Sequence, residues 1–403
     1  MKNANNNSMK RRYFLAATCL ATCAALAVAG GSRAQAEDSV KIGFILPMTG
    51  QQQSTGKQEA AGAKLFLSQN GDTVAGKKIE LIIKDDAAVP DNTKRIAQDL
   101  IVNEKVNFLA GFGITPAAMA VAPLATESKT PEIVTAAGTS IITQKSDYIA
   151  RTSFTLAQSS VPMADWAAQN GIKKVVTMVS DYAPGHDAEG SFVNEFTAKG
   201  GQVADKITFP LANPDFAPFL QRAADAKPDA IFVFVPSGQG GSFVKQFAEK
   251  GLDKAGIKII GPGDVTDDDL LNGMGDAIIG TITAHIYSAD HNSAANKAFV
   301  EAFKKANGGM RPNFMAVGAY DGMHLMVEAL KKTGGKTDGD SLLAAMKGMA
   351  WESPRGPISI DPDTRDIIQN VYIRKVEKKN GELYNVEFAT FPNVKDPIKA
   401  AAK

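Results

Sequence analysis

Ser54, Thr55, Thr115, Ala137, Gly138, Thr139 and Ser237 stand in short turns that follow apolar, strand-like runs. Small and hydroxyl residues in such turns let backbone N–H groups come close to a guest and add neutral donors of their own. That is equipment for binding, not for making bonds. Any one of these residues could equally sit in a solvated turn; their recurrence at several strand ends is what points to a ligand. The most informative stretch is residues 108–119, Phe-Leu-Ala-Gly-Phe-Gly-Ile-Thr-Pro-Ala-Ala-Met. It reads as a buried strand, a glycine turn and the start of a helix, with Thr115 as N-cap and Pro116 at the first helical position. Such a turn aims free N–H groups and a positive dipole end beyond the strand, into the crevice where open α/β sheets bind ligands. A small anion such as a carboxylate suits it. The competing reading is a capped helix with nothing bound.

Other chemistries lack their residues. The four histidines, His186, His285, His291 and His324, are scattered, and none has metal-ligand spacing. No metal and no cofactor is expected. There is no Gly-x-Ser-x-Gly elbow and no phosphate-binding Gly-x4-Gly-Lys-Ser/Thr loop. Gly111-x-Gly113 opens like a dinucleotide fingerprint but lacks its third glycine. Asp267-Asp-Asp269 lacks the alternating ligands and turn glycine of a calcium loop, and reads as the cap of a short helix. Tyr182 and His186 could be an acid–base pair, but no nucleophile or partnered carboxylate stands beside them. They read better as a polar pocket wall. An enzyme is therefore not expected.

These turns need a scaffold of alternating strands and helices. Strand-like runs at 40–46, 79–83, 108–111 and 131–135 alternate with helical patterns at 57–70, 91–103 and 116–128. A second series follows, with strands at 174–179, 202–209, 229–235 and 257–260 and helices between them. The class is α/β: two doubly wound parallel sheets with helices on both faces. After residue 280 come a strand, three helices at 294–307, 313–332 and 339–349, and strands at 358–360, 367–375 and 383–390. Residues 395–403 read as a loose end. No low-complexity linker separates the two series.

A chain of 403 residues suits two domains. Lys2, Lys10, Arg11, Arg12 and Arg33 precede any acid, which leaves the rest of a +1 chain at −4. No nucleic-acid face is implied. Residues 1–36 read as an export signal: Lys10-Arg-Arg, an apolar run to Ala29, and the small-x-small site Ala34-Gln-Ala36. Arg11-Arg12-Tyr-Phe-Leu15 also fits the twin-arginine pattern. Both cysteines, Cys19 and Cys23, lie in this signal, so the mature chain would have no thiol chemistry, as suits a periplasm.

Five stretches together resemble the leucine/isoleucine/valine-binding type of periplasmic solute-binding protein, the receptor of ABC importers. They are Lys41-Ile-Gly-Phe-Ile-Leu-Pro-Met-Thr-Gly50 with Ala61-Gly-Ala63, Gly111-Phe-Gly-Ile-Thr-Pro-Ala117, Val134-Thr-Ala-Ala-Gly-Thr139, Asp181-Tyr-Ala-Pro-Gly-His-Asp187 and Gly318-Ala-Tyr-Asp-Gly322. The resemblance implies two lobes joined by three crossings, closing on a ligand. One would be residues 39–154 plus 287–361, the other 155–286 plus 362–392, with a tail at 393–403. It implies that Thr115, Ala137 and Thr139 hold a ligand carboxylate, and that a membrane permease of an ABC transporter is the partner of a monomeric receptor. Amino-acid binders of this type place an acid directly after Gly-Pro; here Gly263 intervenes before Asp264. They often carry bulky aromatics near the positions of Thr55 and Ser237. These departures, and the Asp181–Asp187 turn, resemble the branch that takes aromatic acids. The expected ligand is a benzoate-like or phenylpropanoid carboxylate, its ring facing Tyr182. The alternatives are a branched-chain amino acid or short amide, favoured if Asp264 reaches the cleft, and a ligand sensor of the same fold.

Overall fold

Val40, Ile42, Phe44 and Leu46 face one side of the first strand and Ile45 the other, and all five are fully buried. A strand that is apolar on both faces must be covered on both. The computed structural model, which describes residues 39–401, shows how. The proposed export signal lies outside the described residues.

β1 (Val40–Leu46), β2 (Thr73–Val74), β3 (Lys77–Asp85), β4 (Phe108–Gly111), β5 (Glu132–Val134) and β6 (Ile149–Arg151) form one sheet in the order β2-β3-β1-β4-β5-β6. All its pairings are parallel except the β2–β3 hairpin. Helix α1 (Gln53–Asn70) packs on one face; α2 (Pro90–Val102) and α3 (Thr115–Ser128) cover the other. Helix α4 (Leu156–Gln169) then leads to a second sheet: β7 (Lys174–Ser180), β8 (Gln202–Phe209), β9 (Ala230–Phe234), β10 (Lys258–Pro262) and β11 (Ile282–His285). Its helices are α5 (Ala183–Ala198), α6 (Ala217–Asp225) and α7 (Gly240–Glu249). The chain continues through α8 (Ala294–Ala306), α9 (Phe314–Lys332) and α10 (Gly339–Met346). Strands β12 (Ala350–Ser353), β13 (Gly356–Ile360), β14 (Ile367–Lys379) and β15 (Glu382–Val394) and the short α11 (Pro397–Ala401) complete it.

This is the expected α/β class, two doubly wound sheets joined by chain crossings. The second sheet, β12-β13-β14-β11-β10-β9-β7-β8, is mixed, not purely parallel: β14 runs antiparallel to β11, β13 and β15. The chain crosses after β6, after β11 and between β13 and β14. Ile360 and Met349, beside β12 and β13, pack into the core shared by β1, α1 and α9. Residues 361–366 lie against β6, where Arg365 Nε donates to the Ile149 carbonyl at 3.0 Å.

Four local expectations change. Helix α1 starts at Gln53, so Ser54 and Thr55 belong to its first turn and not to a loop. Ile114 stands at the N-cap of α3 and Thr115 is its first helical residue; no side chain caps the helix, because isoleucine has no acceptor to offer, and the Thr115 hydroxyl meets Thr139 instead. Asp267-Asp-Asp269 opens no helix: Asp267 follows the short turn of helix at Gly263–Thr266, Leu270 stands at the start of the next, and Asp267 and Asp268 are buried. Residues 395–401 are not loose, since Lys399 is buried and ion-paired with Asp366.

Helices α1 and α9 pack closely because Gly62 lets them. A Cβ at Gly62 would lie 2.1 Å from the Ala316 carbonyl oxygen. Gly62→Val is expected to cost about 3 kcal/mol in urea unfolding, as overpacking forces backbones apart. Gly190→Ala, where a Cβ meets nothing, should gain up to about 1 kcal/mol from helix propensity. Equal effects at both glycines would refute this account.

Candidate functional site

In each sheet the strand order reverses at one point, between β1 and β4 and between β7 and β9. Crevices beyond the strands' carboxyl ends at such points are where open α/β sheets hold ligands. The turns after these strands line one small cavity. From the first sheet come Gln52, Gly113, Ile114, Thr115 and the turn Ala136–Gly138; from the second, Tyr182, Pro184, Phe234, Pro236, Ser237 and Asp264. Phe154, Leu156 and Met315 complete the lining.

The first-sheet wall is built from backbone. Gly111 has φ +107°, and a Cβ there would meet the Ile45 carbonyl oxygen at 2.5 Å, so the chain can turn at this point only with glycine. The turn delivers Thr115, whose Oγ1 lies 2.7 Å from Thr139 Oγ1. That contact locks the N-terminus of α3 to the turn after β5. The Ala137 N–H is spent on the Phe112 carbonyl at 3.1 Å. The N–H groups of Thr115, Gly138 and Thr139 have no partner among the described residues, and they are the donors this wall offers.

Arg151 stands beneath this wall, fully buried. Its Nη2 donates to the Thr139 carbonyl at 2.7 Å and its Nη1 to the Phe154 carbonyl at 2.9 Å, while Nε pairs with Asp366 at 3.0 Å. It orients the turn and places positive charge behind it. Asp366 also accepts from Lys399 and from Thr143 Oγ1. Ser140, next in the turn, donates its N–H to Asp187 of α5 at 2.8 Å and its hydroxyl to Asp396 at 3.0 Å.

The second-sheet wall is aromatic and acidic. The Tyr182 ring stacks on Phe234, centroids 6.1 Å apart and planes 19° apart. Burial, with Asp264 nearby, pushes the Tyr182 phenol up, so it stays protonated and can donate. Asp264 is buried, its Oδ2 has no partner, and burial raises its carboxyl to about 7 against the pull of Arg374. The Ser237 hydroxyl is likewise buried without a partner. Behind it, burial and Asp269 push the Asp267 carboxyl far up; Ser237 favours its charged form, but the two make no hydrogen bond of good geometry. His285, edge-on to Phe154 with centroids 5.0 Å apart, is held neutral by burial and by Arg374 and Arg355.

The sequence-predicted residues divide accordingly. Thr115, Ala137, Gly138, Tyr182, Ser237 and Asp264 line the cavity, and Thr139 is joined to it through Thr115. Thr55 is buried beside Gly113, its Oγ1 without a partner. Ser54 donates to Asp269 at 2.5 Å, bridging the two walls outside the cavity. His186 is not in the lining: over half exposed on α5, it pairs with Asp181 at 3.1 Å. Sequence reasoning missed Arg151, Phe154, Leu156, Phe234 and Met315. The apolar run ending at Phe234 could have flagged that ring; the others carry no local signal.

Comparison with known proteins adds four findings. The family model described as "Periplasmic binding protein" matches residues 39–382. A solved ABC-transporter solute-binding protein from Rhodopseudomonas palustris BisB5, in complex with 3,4-dihydroxybenzoic acid, is 72% identical. It superposes with a TM-score of 0.89 over 90% of this chain and 100% of that one. Another from R. palustris, in complex with 4-hydroxybenzoate, is 43% identical with a TM-score of 0.87, covering 89% of this chain and 99% of that one. Leu/Ile/Val-binding protein homolog 6 of Brucella abortus is 43% identical over 89% of this chain and 93% of its own length.

Proposed function

This chain belongs to the periplasmic binding protein family, and we propose that it is the substrate-binding component of an ABC importer for a small aromatic carboxylate of the hydroxybenzoate kind. One observation carries the reading: a single small cavity joins free backbone N–H groups at a helix N-terminus to a stacked Tyr182–Phe234 wall. The first suits a carboxylate, the second a flat ring. The carboxylate is held by Thr115 and the Gly138–Thr139 N–H groups, over Arg151. The ring lies against Tyr182, Phe234 and Phe154. The relatives solved with 3,4-dihydroxybenzoic acid and 4-hydroxybenzoate support this choice.

The lobes are residues 39–154 with 287–361 and residues 155–286 with 362–392, and they close on the ligand about the three crossings. The partner is an inner-membrane permease, to which the closed monomer docks. There is no catalysis. The chain reaches the periplasm behind its signal, with Arg11 and Arg12 directing it to the twin-arginine route.

A second reading has its own support. Asp264 lines the cavity, the placement that favours an amino-acid ammonium, and the Brucella relative bears a Leu/Ile/Val-binding name. Against it, the walls are aromatic, and burial leaves Asp264 half protonated near neutral pH, which weakens it as an ammonium partner.

A thermal-unfolding screen of ligand-stripped protein decides between them. A native-only ligand at 100 times its dissociation constant stabilises by about 2.7 kcal/mol. Hydroxybenzoates are expected to raise the melting temperature and leucine and valine to leave it unchanged. A rise with leucine or valine alone would overturn the aromatic-acid reading.

A further inference from the structure

The two ends of the cavity are chemically different. On the first-sheet side the unpartnered groups are N–H donors, with Arg151 behind them. On the second-sheet side they are oxygens: Asp264 Oδ2 and Ser237 Oγ, both on residues at least nine-tenths buried. A buried polar atom left without a partner costs about 1–3 kcal/mol. The described residues supply no partner for Asp264 Oδ2, and Ser237 Oγ has only the poorly aligned Asp267 carboxyl beside it, so an occupant of the cavity is the remaining source of a well-made bond.

Consider what each guest would do there. A carboxylate facing Asp264 is repelled whenever Asp264 is ionised, whereas the other end offers it unpartnered N–H donors over Arg151. A bare ring edge touching Asp264 and Ser237 leaves both oxygens orphaned, and the site then pays for burying them. A ring hydroxyl satisfies both, because it donates to Asp264 and accepts from Ser237. Tyr182, stacked on Phe234, stands near Asp264, so this end of the cavity is aromatic as well as acidic. Arg374 lies behind the turn, its Nη1 paired with Asp268 at 3.8 Å and its Nη2 donating to the Gly263 carbonyl at 3.4 Å. It fixes the turn that carries Asp264 without capping Oδ2.

We infer that Asp264 and Ser237 form a hydroxyl-reading subsite, which makes this receptor selective for ring-hydroxylated aromatic acids over the unsubstituted acid. The inference rests on the aromatic-acid reading above and adds the selectivity and the residues that impose it. A site built to hydrogen-bond a hydroxyl rejects the analogue that lacks one, because its own groups are then stranded.

The test is calorimetric titration of the mature chain with 3,4-dihydroxybenzoate, 4-hydroxybenzoate, benzoate and leucine. The hydroxylated acids are expected to bind about 10- to 100-fold more tightly than benzoate. In Asp264→Leu, which keeps the side chain's shape, and in Ser237→Ala, the ratio of hydroxylated-acid to benzoate affinity should shrink by about tenfold or more. Circular dichroism and cooperative urea unfolding report that each variant is folded, and Ser237→Ala, the smaller change, reads the preference if the other does not fold. Equal wild-type affinity for benzoate and its hydroxylated forms would overturn the subsite while leaving the aromatic-acid reading intact. An unchanged preference in both variants would overturn it too. Binding of leucine and of none of the aromatic acids would overturn both.

Discussion

Arg151→Met is expected to cost about 3–5 kcal/mol of folding stability and, in whatever fraction remains folded, most of the ligand affinity. The guanidinium is fully buried and holds three things at once: the Thr139 carbonyl, the Phe154 carbonyl and the Asp366 carboxylate. Methionine fills much of the space but answers none of them. The Phe154 carbonyl loses its donor, the Thr139 carbonyl is left with the Ile142 N–H at 3.4 Å, and Asp366 keeps Lys399 as its remaining cation among the described residues. The stability loss comes chiefly from the uncompensated charge. The affinity loss has a different cause, since the Thr139 turn loses both its tether and the positive charge beneath it. Urea unfolding reads the first and titration with 4-hydroxybenzoate the second. The double variant Arg151→Met with Asp366→Asn separates them: it should regain part of the stability, because the stranded charge is gone, and little of the affinity. If the single variant melts like the wild type, the network is not a support of the site.

Some of this was legible in the sequence, and physics says which part. β1 and β8 fall at the predicted residues, Val40–Leu46 and Gln202–Phe209, because short apolar or alternating runs bounded by turn residues have few ways to fold. Helix starts were less legible. Helix α1 begins four residues before its apolar pattern does, and α5 begins at Ala183, inside what reads as a Pro-Gly turn. Helix α5 tolerates Pro184 in its first turn, where no N–H is needed. Gly185 is required because a Cβ would lie 2.0 Å from the Ser180 carbonyl oxygen. Neither helix start has an acid in its first turn or a side-chain cap to announce it.

The turns of the first-sheet wall were readable because glycine, proline and threonine have local meanings. Arg151 was not. Its role depends on Asp366 and Lys399, more than two hundred residues away in sequence, which only the crossings bring to β6. The same holds for Lys399, which looks like one more lysine in a polar tail until its carboxylates are in view. Asp264 shows the opposite limit. Its place near the cleft could be guessed from its neighbours in sequence, but burial fixes its charge, and burial is a property of the folded chain.

Asp264→Asn is therefore expected to make the ligand-free protein more stable at neutral and alkaline pH, not less. The wild-type carboxyl titrates at about 7 in the fold against 3.8 ordinarily. Below about pH 4 both the folded and unfolded chains hold the proton, and the residue costs nothing through titration. As pH rises from about 4 to 7, the unfolded chain releases its proton while the folded one keeps it, so stability drains away. Above about 7 the loss is complete, with an upper bound of about 4 kcal/mol for the raised carboxyl. Asparagine does not titrate. The variant should match the wild type near pH 4 and exceed it progressively toward pH 8. Glu59, raised to about 8 by burial, and Asp268, raised to about 6 by burial, slope the same way in both proteins and cancel in the comparison. Arg374 and the neighbouring Asp267 and Tyr182 are shared as well. Urea unfolding of both proteins at a series of pH values gives the difference directly. Parallel curves would mean that Asp264 is hydrated in the folded protein and no candidate for reading a hydroxyl. Curves that diverge with pH, together with weakened hydroxybenzoate binding in the variant, would show stability surrendered at one carboxylate for the sake of a ligand.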